Sequence, residues 1–326
     1  MDTVAIVITT YNLEKYAARA LDSVLKQETD FDYKVIVADD ASTDNTINIL
    51  KKYKKKYPEK IELLLAENNM GSLANSNRAF SFMDCKYFSF LDGDDYWIGN
   101  HRLQKQVDFL NKNNSYVMCA GNTRYVRNGR HAELLVKRRQ LNKSYSFEDY
   151  LNGKMPFLHT SSILVRNIIF SKGIPDCFTN AVGTFEECAL RGEDFRRILH
   201  LSHGLVFAAD EVLSCYRVHP HGIWQGSSQT HKMIESAIST NYYRKYFKYA
   251  YGSYFSEKSY SSYAALIKHL ILHENLLTEY RLNEMDSYLL ASYLNDIRKA
   301  KIPQRKQVSE RSIFIRKLLL NILRNV

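Results

Sequence analysis

The sequence predicts an α/β fold: a mostly parallel central sheet flanked by helices, followed by an α-helical C-terminal region. Three observations carry this. Apolar, β-branched runs alternate four times with segments of helical spacing in the first hundred residues. Three of those runs end in polar clusters, the pattern of buried parallel strands whose carboxyl ends carry a site. From about residue 230 the strand pattern stops and helical spacing takes over.

The first run, VAIVIT at 4–9, is a strand buried on both faces, and Thr10, Tyr11 and Asn12 follow it. Residues 14–27 place Tyr16, Ala17, Ala20, Leu21, Val24 and Leu25 at helical spacing. KVIVA at 34–38 is the second strand, ending at Asp39 and Asp40. Thr43 and Asp44 are suitable N-caps for a helix over about 45–56, whose exposed face is a lysine run. IELLLA at 61–66 is the third strand, NNMGS a turn, and Ser72 a cap for a helix over 73–84. KYFSFL at 86–91 is the fourth strand.

Residues 101–113 are helical in pattern. The stretch YVMCAGNTRYVRNGRHAELL contains strands around an Asn128-Gly129 hairpin turn. HTSSILVR and LVFAADEVLSCYRVH add strands around a short helix that begins near Glu193. A boundary near 229 divides the chain into 1–229 and 230–326. In the second part Tyr242, Tyr246 and Tyr249 form one stripe. At the end, Ile315, Leu318, Leu319, Ile322, Leu323 and Val326 form an apolar stripe among Arg311, Arg316, Lys317 and Arg324. Such a helix suits an anionic membrane surface, packing on its own domain or a homodimer contact, and the spacing does not choose.

With 45% hydrophobic residues in 326, the chain can bury a sizeable core, which excludes global disorder. No apolar run approaches the roughly 20 residues that span a bilayer. The N-terminus lacks a basic n-region and a cleavage site, so it is a strand and not a signal peptide. Five cysteines without CxxC spacing argue for reduced thiols in the cytoplasm and against a zinc site. The net charge of +10 favours an anionic neighbour (nucleic acid, a membrane face or a phosphate-bearing substrate) or serves solubility alone.

FSFLDGDDYW sets Asp92, Asp94 and Asp95 at the end of the fourth strand, with Gly93 leaving room for close approach. Clustered carboxylates repel unless a cation compensates, and Mg²⁺ or Mn²⁺ takes such oxygens. The plainer reading is an acidic turn before the helix that carries Arg102; the position after a parallel strand favours the metal. Asp39 and Asp40 could accept from a base N–H or a ribose hydroxyl, or serve only the turn. In RGED, Glu193 and Asp194 both qualify by type as a general base; acidic residues also suit any first helical turn. YRVHPHG offers Arg217 for a phosphate, and His219 and His221 for a metal or diphosphate.

VAIVITTYN, IVADDASTDNT, NNMGSLANSNRAF, FSFLDGDDYW, RGEDFRR and YRVH occur in this order over about residues 2–222. Together they resemble the inverting family 2 glycosyltransferases of bacterial surface-polysaccharide synthesis. The resemblance implies the GT-A nucleotide-sugar-binding fold and a hexosyl- or N-acetylhexosaminyltransferase. It implies a UDP-sugar donor, a divalent cation (Mn²⁺ or Mg²⁺) and a saccharide or lipid-linked acceptor. Thr10, Tyr11 and Asp40, with Asn12 and Asp39 beside them, would hold the uridine. Asn69, Gly71 and Arg78 would form the nucleotide rim. Asp92 would serve ribose or metal, and Asp94 and Asp95, with His219, the metal; three carboxylates leave the innermost ligand open. Glu193 and Arg217 would face the donor, and Asp194 would be the base. His159 to Ser162 would line the acceptor side, Trp224 would stack on a sugar or pack its loop, and residues 219–230 would form a lid.

Two other classes compete. A nucleotidyltransferase would need a Gly-rich basic loop after the first strand, which TTYNLEKY lacks. A polyanion-binding protein is suggested by NYYRKYFKY, but a helix stripe explains those residues more simply. The expected location is cytoplasmic, with peripheral contact on the inner membrane face if the acceptor is lipid-linked. No nucleic-acid partner is expected.

Overall fold

A computed structural model of the chain describes residues 2–219, 227–247 and 251–272. Strands β1 (Asp2–Thr10), β2 (Tyr33–Asp39), β3 (Ile61–Leu65) and β4 (Cys85–Asp92) alternate with helices α1 (Ala17–Leu25), α2 (Thr46–Lys56) and α3 (Ser72–Phe80). Then come β5 (Tyr96–Trp97), α4 (Arg102–Lys112), β6 (Tyr116–Arg127), β7 (Arg130–Leu134), β8 (Lys143–Tyr145) and α5 (Phe147–Leu151). β9 (Ile163–Arg166), α6 (Asp176–Asn180), α7 (Glu187–Arg191), α8 (Glu193–Leu201) and β10 (Leu205–Val218) follow.

Ten strands form one sheet in the order β3-β2-β1-β4-β9-β6-β10-β5, with β7 on β6 and β8 on β10. β1 runs parallel to β2 and β4, β2 to β3, and β6 to β10. β9 lies antiparallel between β4 and β6. The sheet is therefore mostly parallel, as the alternating pattern predicts. β1 sits between two partners and both its faces are covered: Val4, Ile6, Val7 and Ile8 are all 0% exposed. A continuous apolar run is what such a position demands.

On one face Ala17, Ala20, Leu21 and Val24 of α1 pack with Val35, Val37, Trp97, Leu103 and Val107. Each fully buried valine or leucine among them stabilises by about 1.5–3 kcal/mol. The register pairs Thr10 with Asp39 and Thr9 with Asp92. The three polar clusters therefore finish level on one sheet edge.

The ends of the helices differ from expectation. α1 starts at Ala17, not at 14, because residues 12–14 bond to the loop before α2 instead. Asn12 N–H donates to Ser42 Oγ (2.9 Å), Leu13 N–H to Thr46 Oγ1 (2.8 Å) and Glu14 N–H to Asp44 Oδ2 (3.0 Å). In return Thr43 N–H donates to Asn12 Oδ1 (2.8 Å). Asp44 does accept the Thr46 N–H, but Thr43 caps nothing. Ser72 lies inside α3; Gly71 (φ +88°) holds the cap position, and no side chain bonds there. HTSS is not strand: Thr160–Ser162 form a 3-10 turn before β9. The hairpin is as expected, with Asn128 (φ +51°) and Gly129 (φ +75°) between β6 and β7.

Behind the acidic loop, Arg102 is 2% exposed and lies 3.9 Å from the Trp97 ring centroid. It donates to Gln106 Oε1 (2.8 Å), to Ser89 Oγ (3.2 Å) and to the Ser161 carbonyl. Burial lowers its pKa to about 9, so it stays charged at neutral pH. Among the described residues no carboxylate pairs with it.

The chain divides into two compact units, Met1–Ser227 and Ser228–Val326. In the second, α9 (Gln229–Tyr246) and α10 (Gly252–Leu272) are described. Ser228 caps α9 by accepting the His231 N–H (3.1 Å). Tyr243 and Phe247 of this unit pack on Phe255. Tyr242 and Tyr246 stack with centroids 6.4 Å apart. Tyr249, His221, Trp224, most of the 219–230 segment and the C-terminal amphipathic stretch lie outside the described residues. No helix among the described residues is long and apolar enough to cross a membrane.

Candidate active site

The β1–β2 edge forms the first part of the site. Asp39 is 0% exposed and accepts from Thr10 Oγ1 (2.7 Å), Ser42 N–H (2.8 Å) and Ser42 Oγ (2.7 Å). Its oxygens serve the loop, and with Asn12 it locks the floor in place. Asp40 accepts the N–H groups of Met70 (2.8 Å) and Gly71 (3.0 Å), which pins the rim after β3. Arg78 is half-buried and donates to Asn75 Oδ1 (3.1 Å). Tyr11 (47% exposed) and Asn69 stand open to solvent. A Cβ on Gly71 would come 3.3 Å from Glu187 Oε1, so α7 closes on the same rim.

The acidic loop is the second part. Gly93 N–H donates to the Thr9 carbonyl (3.1 Å). A Cβ there would meet Thr10 Cγ2 at 2.7 Å and Thr9 O at 2.8 Å. The glycine is needed for room and not for its torsion angle. Gly93→Ala should destabilise the protein by roughly 1–3 kcal/mol, seen as a lower thermal midpoint; an unchanged midpoint would contradict this packing.

Asp95 is 0% exposed and accepts Ser161 Oγ (2.7 Å) and Arg217 N–H (2.9 Å). The carboxylate of Asp94 pairs with His219 Nε2 (2.9 Å), and its carbonyl accepts the Arg217 guanidinium. The carboxylate of Asp92 receives no hydrogen bond among the described residues. Burial, then the charge of Asp94, pushes its pKa up to about 6. Burial also raises Asp95, with Asp94 and Asp92 adding to the effect.

Asp92, Asp95 and His159 place one ligand atom each within 4.8 Å of one another. Two carboxylate oxygens and an imidazole nitrogen suit Mg²⁺ or Mn²⁺, and buried carboxylates that repel one another favour a cation. The residues therefore fit a divalent ion. Asp94 and His219, both expected on the metal, pair with each other beside this group. His159 is buried and its ring lies tilted against that of Tyr216, with centroids 4.7 Å apart. Sequence reasoning placed it only on the acceptor side; a histidine in a polar HTSS run does not by itself announce a ligand.

The third part is the start of α8. Asp194 has a 55% exposed side chain and pairs with Arg197, which is 6% exposed. Glu193 instead lines a small pocket with Phe88, Phe90, Arg196 and His200. Burial raises its pKa. Adjacent in sequence, the two acids thus meet opposite environments. Arg196 (4.4 Å from the Phe90 centroid) and Arg197 are built into this wall, yet nothing in the sequence singled them out. Arg217 lies 5.2 Å from the Tyr16 centroid and 4.6 Å from that of Tyr96. Burial and the charge of Arg19 lower its pKa.

A polar sheet edge and a group of residues that fits a cation thus share the carboxyl ends of the parallel strands, and an exposed carboxylate opens α8. Residues 5–173 match the profile of glycosyl transferase family 2. The chain belongs to that family. An uncharacterized protein of Mycobacterium bovis is 31% identical over 227 residues, 68% of this chain and 61% of that protein. The chain thus spans about three-fifths of that relative's length. An Escherichia coli protein, UDP-Glc:alpha-D-GlcNAc-diphosphoundecaprenol beta-1,3-glucosyltransferase WfgD, is 34% identical over 125 residues, 38% of this chain and 47% of that protein. The structure of S. aureus TarS 1-349 in complex with UDP-GlcNAc shares the fold: TM-score 0.55, 18% identity, over 94% of this chain and 95% of that one. The family 2 sheet, its mixed parallel order and the helical C-terminal region agree with the architecture expected from the motifs.

Proposed function

We propose that this family 2 protein is an inverting, cation-dependent glycosyltransferase that moves a sugar from a UDP-sugar to a hydroxyl of a saccharide or lipid-linked saccharide. The observation that carries the reading is the meeting of Asp92, Asp95 and His159 with the Asp39–Asp40 edge, at the carboxyl ends of β1, β2 and β4. The UDP-GlcNAc complex of TarS and the UDP-glucose donor in the E. coli relative's name support the choice of nucleotide. The synthesis of a bacterial surface glycan fits the same relative.

Each residue then has a task. Thr10, Asn12, Asp39 and Ser42 hold the floor under the base, Tyr11 packs against the uracil, and Asp40 fixes the rim that carries Asn69 and Gly71. Arg78 and Arg217 face the phosphates. Asp92 and Asp95 with His159, and Asp94 with His219 beside them, would hold Mn²⁺ or Mg²⁺, which when bound neutralises the leaving nucleoside diphosphate. Asp194 takes the proton of the acceptor hydroxyl as it attacks the anomeric carbon. One base suffices for inversion; a double displacement would need a second carboxylate as nucleophile. Glu193 tunes the field behind the donor.

Residues 1–229 form the catalytic part in this reading, and 230–326 serve packing, self-association or contact with the inner membrane face. The thiols form no disulfide, which suits a cytoplasmic location. The test is UDP release from UDP-glucose and UDP-GlcNAc with Mn²⁺, with and without EDTA. Release that EDTA lowers at least tenfold is expected. Equal release with the chelator would remove the cation, and no release from any UDP-sugar would remove the donor.

A further inference from the structure

The loop before the Thr160–Ser162 turn carries a side chain to which no role has been given. Phe157 is 48% exposed, although its neighbours are not: Leu158 is 0% and His159 6% exposed. The loop is anchored. Arg197 donates to the Leu158 carbonyl (2.8 Å), and the Ser161 N–H donates to His159 Nδ1 (3.3 Å). An aromatic ring therefore projects into solvent from a fixed backbone. Its guanidinium neighbour lies 5.0 Å from the ring centroid, and that neighbour is Arg197, which also pairs with Asp194. The ring also lies edge to face with that of His159, a member of the cation group, with centroids 6.3 Å apart.

We infer that Phe157 is the platform on which a pyranose ring of the acceptor stacks, next to Asp194. This rests on the reading of the site as a glycosyltransferase centre and adds where the second substrate lies. A pyranose presents a face of C–H groups and a rim of hydroxyls. The electron-rich face of an aromatic ring attracts the first, as it attracts the Arg197 guanidinium. The hydroxyls are left to point at polar groups. A sugar seated on Phe157 lies beside the carboxylate that must accept its proton, and a base acts only within about 3 Å of that proton's oxygen. Arg197 touches both the platform and the base, so it is a positioning residue that fixes the distance between them.

The experiment uses the full chain with Mn²⁺ and UDP-glucose or UDP-GlcNAc. Methyl β-glucopyranoside and methyl β-N-acetylglucosaminide serve as probe acceptors. The readout is the ratio of sugar transferred to sugar lost to water. Phe157→Ala should lower that ratio roughly tenfold, and Phe157→Trp should keep it within about threefold of wild type. The thermal midpoint of each variant checks that the fold is intact. An unchanged ratio in Phe157→Ala overturns the platform. So does an equal loss in Phe157→Trp, or a wild type that hydrolyses donor but transfers to neither pyranoside. A wild type that releases no UDP removes the donor reading, and the platform with it.

Discussion

Asp92→Asn should cut UDP release by about 10²–10³-fold while raising the thermal midpoint of the metal-free protein. Both effects have one cause. Asp92 is a charge without a hydrogen-bond donor among the described residues, set beside Asp94 and Asp95. Like charges this close destabilise the empty site and are what a cation needs. Asparagine keeps the shape and removes the charge. The relief should be roughly 1–2 kcal/mol, which moves the midpoint of a unit this size by about 2–8 °C. Calorimetry or dye-monitored melting in EDTA, with a coupled UDP assay in Mn²⁺, measures both. A variant that is both less active and less stable would show Asp92 to be an ordinary structural acid.

Asp194→Asn should lower transfer by about 10²–10⁴-fold and leave UDP binding intact. Glu193→Gln should cost less than about tenfold. The distinction comes from exposure. Asp194 stands out to solvent and is held by Arg197, so it is reachable. Glu193 is less exposed and lines a small pocket with Phe88, Phe90 and His200. Single-turnover transfer, set against protection by UDP from thermal unfolding, separates the chemical step from donor binding. If Glu193→Gln lost 10²-fold or more and Asp194→Asn little, the roles would be reversed.

Much of this architecture was legible in the chain because burial on both faces leaves a plain mark. VAIVIT, KVIVA and KYFSFL are strands for the same reason that they are apolar, and the polar clusters after them had to share an edge. The helix starts were less legible. Thr43 and Ser72 are of the right type to cap, but Asn12 and Asp40 bind the same stretches of backbone across 30 residues or so, and no local pattern reports such a bond. The site followed the same division. Asp92 to Asp95 announced themselves by charge density. His159 and Arg197 did not, because their environment is made by β9 and α8 folding against β4 and not by their neighbours in sequence. Which of two adjacent acids faces water is likewise a matter of helix rotation; RGED alone favours neither.

Arg102, which has no carboxylate partner among the described residues, bears on how the site meets its substrate. Its guanidinium is wedged against Trp97 and holds the Ser161 carbonyl, while the Ser161 hydroxyl holds Asp95. The acidic loop is thus shaped from behind, by side chains that no substrate touches. A site braced in this way is preorganised: its donors and charges already point where they are needed before anything binds. Binding free energy then need not be spent on assembling the loop, and any motion that admits and releases a substrate must belong to other parts of the chain.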